Sequence, residues 1–543
     1  MSEQGVALMP KQVRSVAKGI SVLGIAGIIC KFVGVFFSIF LNRIDADIAT
    51  TFYLVYPTYT LLLTVSSAGL PVAVSRMVAG FLAKNDPRNG KNVFRAALTI
   101  LLSIGVFFTL LMLVLNRQLS VMTNAEETAW GFFAISPCVA IVCALSAFRG
   151  FFQGQQNMVP TAVSQLIEQV GKVLLSLSLA YYGYTVFRSD VTDHVMRIQY
   201  GAAGALAGIT ISEILALVYM TILYFLRRNE YALIPQAETE KEARASYLMK
   251  RLVMISIPIT ISACIIPLAQ WIDSVMMIDR MEQAGLELNA AKSAYGVFTS
   301  VVIRLINIPT ALALAISMSL VPVISYCRSA NDMDGVRRES HTGMRFAFLI
   351  GFPCSVGMSL LSHEIVRFLY GDVPSFTIEK LNLAADLLTF SAMTVVLFTV
   401  VQATSSILQG LRKQKLAMYT MIAGVAVKIL LNYVLIGTKG IDIHGGPYAS
   451  IACYSLVMLL NIVYVCKYTS MKFDWNKWVL RPGAAAAVMG VAVLGLKSFL
   501  PAGRLATMAE IILGIVAYVA AAWLFKAISI EDINSVRRRK ETP

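Results

Sequence analysis

Four basic residues lie inside long apolar runs: Lys31 in GIAGIICKFVGVFFSIF, Lys172 in QVGKVLLSLSLA, Arg304 in TSVVIRLINIPTALALA and Lys428 in IAGVAVKILLNYVLI. A cation at bilayer depth costs at least roughly 2.5 kcal/mol on insertion scales, so each is a functional-site candidate. Few acids share these runs, and the chemistry such cations serve is the holding of something negative. The guanidinium of Arg304 is a planar fork suited to phosphate oxygens, and Ser300 and Asn307 extend it into a polar stripe on the same helix. Around Lys31, the residues Gly24, Gly27, Gly34 and Ser38 recur at steps of three and four. A face of small residues either packs against another helix or lines a wet cavity; the lysine, which a dry interface could not solvate, favours the cavity.

Lys172 differs from the others because Glu168 stands four residues N-terminal to it, the favourable direction for a helix pair. Glu168 and Lys172 are therefore expected to form a structural ion pair. The second-half counterpart of Glu168 is Gly424, which leaves Lys428 the more available charge. Counted at 1.5 Å per residue, Lys31, Lys172 and Lys428 each lie roughly 18 Å from the cytoplasmic ends of their runs, near the bilayer midplane.

The elements that carry these charges are membrane spans. Of 543 residues, 57% are hydrophobic and 14% charged, far from a soluble balance. Fourteen apolar runs of about 20 residues, from 19–41 to 506–526, are each long enough to cross a hydrocarbon core. Their period is helical, not the short alternation of a barrel, so an all-α integral membrane protein follows. The polar opening MSEQGVALMPKQVRSVAK has no cleavage site and reads as the lead to an uncleaved anchor. Lys and Arg outside the runs concentrate on the side of the membrane that holds the N-terminus: Lys84, Arg88, Lys91, Arg227, Arg228, Arg412, Lys413, Lys415 and the tail from Arg537 to Lys540. Both termini are therefore expected to be cytoplasmic. The formal charge of +15 belongs to topology and contact with anionic membrane lipids, not to nucleic acid. Eight cysteines without a CxxC and four scattered histidines imply no disulfide framework, metal or other cofactor.

An internal repeat organises the runs. A shift of 256 residues aligns Gln153 and Gly154 with Gln409 and Gly410, and Lys172 with Lys428; a shift of about 251 brings GLPVAVSR (69–76) onto LVPVISYCR (320–328). The expected division is an N-terminal lobe of six spans (1–226), a cytoplasmic linker (227–250), a C-terminal lobe of six spans (251–468), and a final helix pair with a basic tail (469–543). The shift covers an even number of spans, so the two lobes should be related by a pseudo-two-fold axis along the membrane normal.

Three strings carry a family resemblance: FYLVYPTYTLLLTVSSAGLPVAVSRMVA (52–79), FRGFFQGQQNMVPTAVSQLIEQVGKV (148–173) and RLINIPTALALAISMSLVPVIS (304–325). They resemble the polysaccharide-biosynthesis branch of the MATE-like flippase superfamily, and are similar to stage V sporulation protein B and MurJ-like lipid II flippases of Gram-positive bacteria. The resemblance implies two six-helix lobes forming a V, alternating access of a central cationic cavity, and a place in the bacterial plasma membrane. It implies as substrate an isoprenoid phosphate or pyrophosphate carrying sugars, such as lipid II, flipped outward, with cell-wall synthesis machinery as a working partner. The first-span motif S-R-x-x-G-F-x-R of MurJ-like proteins keeps its first cation here as Lys31 and has Phe37 where the second would stand; the eighth-span motif R-L-x-x-x-P matches at Arg304, Leu305 and Pro309. The missing cation widens the implied substrate from lipid II to anionic lipid-linked glycans in general. No G-x-x-x-x-G-K-[ST] loop is present, no catalytic residue is implied, and the chain is expected to transport without cleaving anything. The alternative reading is a multidrug or small-molecule cation antiporter of the same superfamily, whose cavity would be acidic.

Overall fold

In a computed structural model the described residues are 27, 29–30, 32–84, 86–186, 193–227, 243–499 and 503–527, with the side chains of 315, 316, 318 and 319 left aside. Every regular element among them is helical. The first nine helices are α1 (Phe32–Ile44), α2 (Ala46–Ser67), α3 (Leu70–Leu82), α4 (Pro87–Val114), α5 (Asn116–Met122), α6 (Ala129–Gly154), α7 (Val159–Val186), α8 (His194–Leu226) and α9 (Ala245–Gln283). They are followed by α10 (Leu288–Val297), a π-helical turn (Phe298–Val302) and α11 (Ile303–Ser329), then by α12 (Met333–Leu360), α13 (Ser362–Tyr370) and α14 (Ile378–Ser391). The last five are α15 (Met393–Gly410), α16 (Gln414–Ile436), α17 (Gly445–Thr469), α18 (Arg481–Phe499) and α19 (Arg504–Leu524).

Among the described residues, twelve helical stretches are long and apolar enough to cross a membrane. Two expected spans fall outside that set. Only part of the first is described, as α1. The other, α7, is a 28-residue helix whose apolar run is interrupted by Gln165, Glu168, Gln169 and Lys172. Local chemistry sets the helix starts: Asp45, Asp86, Asp193 and Asp332 accept from backbone amides in the first turns of α2, α4, α8 and α12, supplying acceptors to donors that have none within the helix.

The chain divides into two units, Met1–Asp279 and Arg280–Pro543. Most of the expected linker at 227–250 lies outside the described residues, and the division falls within α9. The reason is close packing of the first part of α9. Gly69, at the start of α3, donates its N–H to Thr260 Oγ1 (3.1 Å), and a Cβ there would come within 2.3 Å of the Ser256 carbonyl oxygen.

In the first unit α7 and α8 meet backbone to backbone. A Cβ on Gly208 would lie 2.4 Å from Ser176 Cα, and one on Gly204 would lie 2.3 Å from the Leu179 carbonyl oxygen, so only glycine permits this approach. The core beside them is aromatic, with the Phe94 ring centre within 5.0 Å of those of Phe148, Phe151 and Tyr224 in edge-on or tilted contact. In the second unit the C-terminal pair α18 and α19 is fastened to α12. Tyr518 donates to the Leu349 carbonyl (2.7 Å), Lys497 to that of Leu360 (3.1 Å), and Arg345 to that of Ala527 (3.0 Å).

Each unit carries one of a matched pair of chain reversals. Gln156 follows α6 and Arg412 follows α15, 256 positions apart, and both have φ 61°. In both, the preceding helix ends in a glycine packed against a neighbour: Gly154 against Val78 and Gly410 against Ile324.

Candidate functional site

A cluster of charged residues in the first unit lies on α6, α7 and α8. Arg149, in the last turns of α6, forks across two helix-α7 side chains: Nε donates to Ser164 Oγ and Nη2 to Glu168 Oε2, both at 3.0 Å. Gln169 Nε2 donates to the other Glu168 oxygen at 3.1 Å. Glu168 is thus ion-paired, but to Arg149 and not to Lys172 as its spacing predicted. A guanidinium satisfies a hydroxyl and a carboxylate at once, which a lysine point charge cannot do.

Lys172 is held by aromatic rings instead. Its Nζ stands 4.7 Å from the ring centre of Tyr56, 5.3 Å from Phe37 and 5.9 Å from Phe52. Phe37 and Phe52 are themselves 5.3 Å apart, and Tyr56 stacks on Phe52. Three ring faces stabilise an ammonium electrostatically while leaving its donors for another acceptor. Phe37 occupies the position where the related motif has its second cation, so a lysine from α7 puts positive charge beside it. Glu213 on α8 is only 4% exposed and completes the cluster.

Lys31 lies outside the described residues. Its neighbour Cys30 places the start of α1 against α7, with Sγ 3.8 Å from the Gln165 carbonyl. Ser38 is fully buried, and its carbonyl accepts from Asn42 Nδ2 (2.8 Å).

In the second unit Ser300, 1% exposed, sits in the π-helical turn that leads into α11. Such turns rotate side chains out of register with the α-helix and recur at functional positions. Arg304 and Asn307 follow in the first two turns of α11, both half-buried, and Pro309 breaks the backbone bonding just beyond them. Lys428 is half-buried on α16. One turn before it, a Cβ on Gly424 would lie 2.3 Å from Val457 Cγ2 and 3.1 Å from the Cys453 carbonyl, so the absence of an acid there is tied to the packing of α17.

Sequence reasoning missed a buried polar network across α15, α16 and α17. Asn461 accepts from Thr420 Oγ1 (2.7 Å) and donates to Thr404 Oγ1 (3.3 Å) and Ser405 Oγ (3.1 Å). It also missed Arg149, although that residue lies in the most specific of the family-like strings. A charge at the end of a span reads as an interfacial anchor until a partner from another helix is known.

A profile of the family described as polysaccharide biosynthesis protein matches residues 16–327, more than half of the chain. The chain belongs to the polysaccharide biosynthesis protein family. Residues 258–434 also match the MatE family. The "Lipid II flippase MurJ" of Bacillus subtilis (strain 168) is 27% identical, over 88% of this chain and 87% of that protein. "Stage V sporulation protein B" of the same organism is 26% identical over 96% of this chain and 97% of its own. Among solved structures, "Lipid II flippase MurJ, inward closed conformation" superposes with a TM-score of 0.67 at 12% identity, covering 93% of this chain and 98% of that one. This member of the polysaccharide biosynthesis family is a multi-span membrane protein with the fold of those neighbours.

Proposed function

We propose that this protein is a flippase that moves an anionic lipid-linked cell-wall oligosaccharide precursor, an isoprenoid pyrophosphate glycan of the lipid II kind, outward across the bacterial plasma membrane. The observation that carries the reading is the presence of basic side chains at mid-span, Arg304, Lys428 and Lys172, in a family whose curated relatives include a lipid II flippase. A diphosphate needs cations at bilayer depth, its sugars need polar partners such as Ser300 and Asn307, and its tail needs contact with lipid. In this scheme Lys31, Arg304 and Lys428 hold the diphosphate, with Ser300, Asn307 and Ser38 as polar partners, while alternating access exposes them first to the cytoplasm, where both termini lie, and then outside. Four mid-span cations would be a poor cradle for a cationic drug, which sets this reading above export of small cations.

The test is complementation of a flippase-depleted strain together with outward movement of a labelled pyrophosphate-linked glycan in vesicles holding the purified chain. Arg304→Ala removes the fork and should abolish both while leaving membrane abundance unchanged. Wild-type growth and flipping by that variant would end the assignment of Arg304, and failure of the wild-type chain to move any such glycan would end the reading as a whole.

A further inference from the structure

The second unit contains a cavity of 710 Å³ that none of the preceding argument uses, at the end of the bundle where α13 and the start of α14 meet the C-terminal pair α18 and α19. Its walls are charged. Lys497 Nζ pairs with Glu364 Oε1 at 2.8 Å, and Arg504 pairs with Asp372, so these four cancel. Two lining charges are left over. Glu510 on α19 is 3% exposed, and its Oε2 is buried with no hydrogen-bond partner, as is Oε2 of the adjacent Glu364. Arg367 on α13 is exposed and makes no ion pair among the described residues.

A buried carboxylate oxygen that no protein donor satisfies is costly, and in the lining of a cavity it is a demand for a donor from a ligand. The remaining guanidinium asks for an anion at the same time. The complementary ligand carries a primary ammonium at one end and an anion at the other. A quaternary ammonium has no N–H to give Glu510 and fits less well. Apolar residues next to the charged ones in sequence say where such a ligand comes from: Phe499 is 87% exposed, Leu505 84% and Ile378 73%. Large apolar side chains exposed around a charged cavity place its mouth against lipid.

We propose that this cavity binds the headgroup of an ethanolamine phospholipid, its ammonium on Glu510 and Glu364 and its phosphate on Arg367. The site is separate from the mid-span cations and does not depend on what the protein transports.

The test uses the purified full chain in detergent, with lipid adducts counted by native mass spectrometry. Phosphatidylethanolamine should be retained roughly tenfold more than phosphatidylcholine, the worth of one charge-assisted hydrogen bond. Glu510→Gln should bring phosphatidylethanolamine retention down toward the phosphatidylcholine level, and Arg367→Ala should lower retention of both lipids. Competition by soluble O-phosphoethanolamine would show that the headgroup alone suffices, and its absence that the apolar part is also read; both outcomes support ammonium and phosphate recognition. Equal retention of the two lipids by the wild-type chain, or unchanged retention by both variants, overturns the proposal. Arg367 is exposed, so its variant carries the test even if Glu510→Gln accumulates poorly.

Discussion

Arg149 Nη2 lies 3.0 Å from Glu168 Oε2, an ion pair between α6 and α7 in which the two side chains are only 14% and 21% exposed. The pairing takes from Lys172 the partner that the helical spacing offered it. The consequences of removing either cation are therefore reversed from what the sequence suggests. Arg149 is a structural charge, and Lys172 is a cation whose removal breaks no ion pair.

Arg149→Ala should leave Glu168 half-buried with Gln169 as a remaining donor, at a cost of up to about 3 kcal/mol. A lower melting temperature in detergent and reduced abundance are expected. Because the loss comes from an uncompensated charge, Arg149→Gln combined with Glu168→Gln should recover part of it. A double variant that melts lower than Arg149→Ala alone would show that the pair matters for another reason.

Lys172→Gln should cost about 2 kcal/mol, the order of a desolvated cation over aromatic rings. The protein should accumulate near the wild-type level. If Lys172 contributes positive charge to substrate, transport falls while melting changes little, and Lys172→Arg, which keeps a cation over Tyr56, retains more activity than Lys172→Gln. Equal flipping by Lys172→Gln and wild type would confine Lys172 to a packing role.

Much of the fold could be read from apolar runs, because a bilayer leaves a chain few ways to satisfy its backbone other than helices. The C-terminal pair was legible in the same way. The partners of the charges were not, since spacing along one helix reports only that helix. Phe37, Phe52 and Tyr56 come to Lys172 from α1 and α2, more than a hundred residues away in sequence, and Arg149 comes from α6. Gly424 is instructive in the opposite direction. It reads as a missing acid beside Lys428, whereas its position against Val457 makes it a requirement of α16–α17 packing.

Gly424→Ala should accordingly destabilise, by about 1–3 kcal/mol for overpacking a close contact. Gly80 is the matched control, a helical glycine at which an added Cβ would find nothing within 4 Å. Gly80→Ala should be neutral or stabilising by up to about 1 kcal/mol. Melting temperatures of the two variants decide whether close approach or helix propensity governs Gly424.

The last prediction concerns the connection between α17 and α18. Trp478 is fully buried and donates its Nε1–H to His341 Nδ1 at 3.2 Å, while His341 Nε2 lies 3.5 Å from Asp474 Oδ2. With Nδ1 accepting from the indole, the proton of a neutral His341 sits on Nε2, toward Asp474. Asp474 also accepts from the Lys477 amide (3.0 Å) and lies 3.8 Å from its ammonium. Burial works to raise the Asp474 carboxyl, but the Lys477 amide, the Lys477 charge and His341 together outweigh it and hold the group below the usual carboxylate range. A carboxyl depressed in the folded state stabilises fully above its unfolded value, and that contribution is lost as pH falls through the folded one, here below about pH 4. The melting temperature of the full chain, followed from pH 7 to pH 3, should therefore fall more steeply for the wild type than for Asp474→Asn. The difference between the two should shrink below about pH 4. A difference that stays constant down to pH 3 would mean that the Asp474 charge adds nothing to the hold of Trp478 and His341 on this connection.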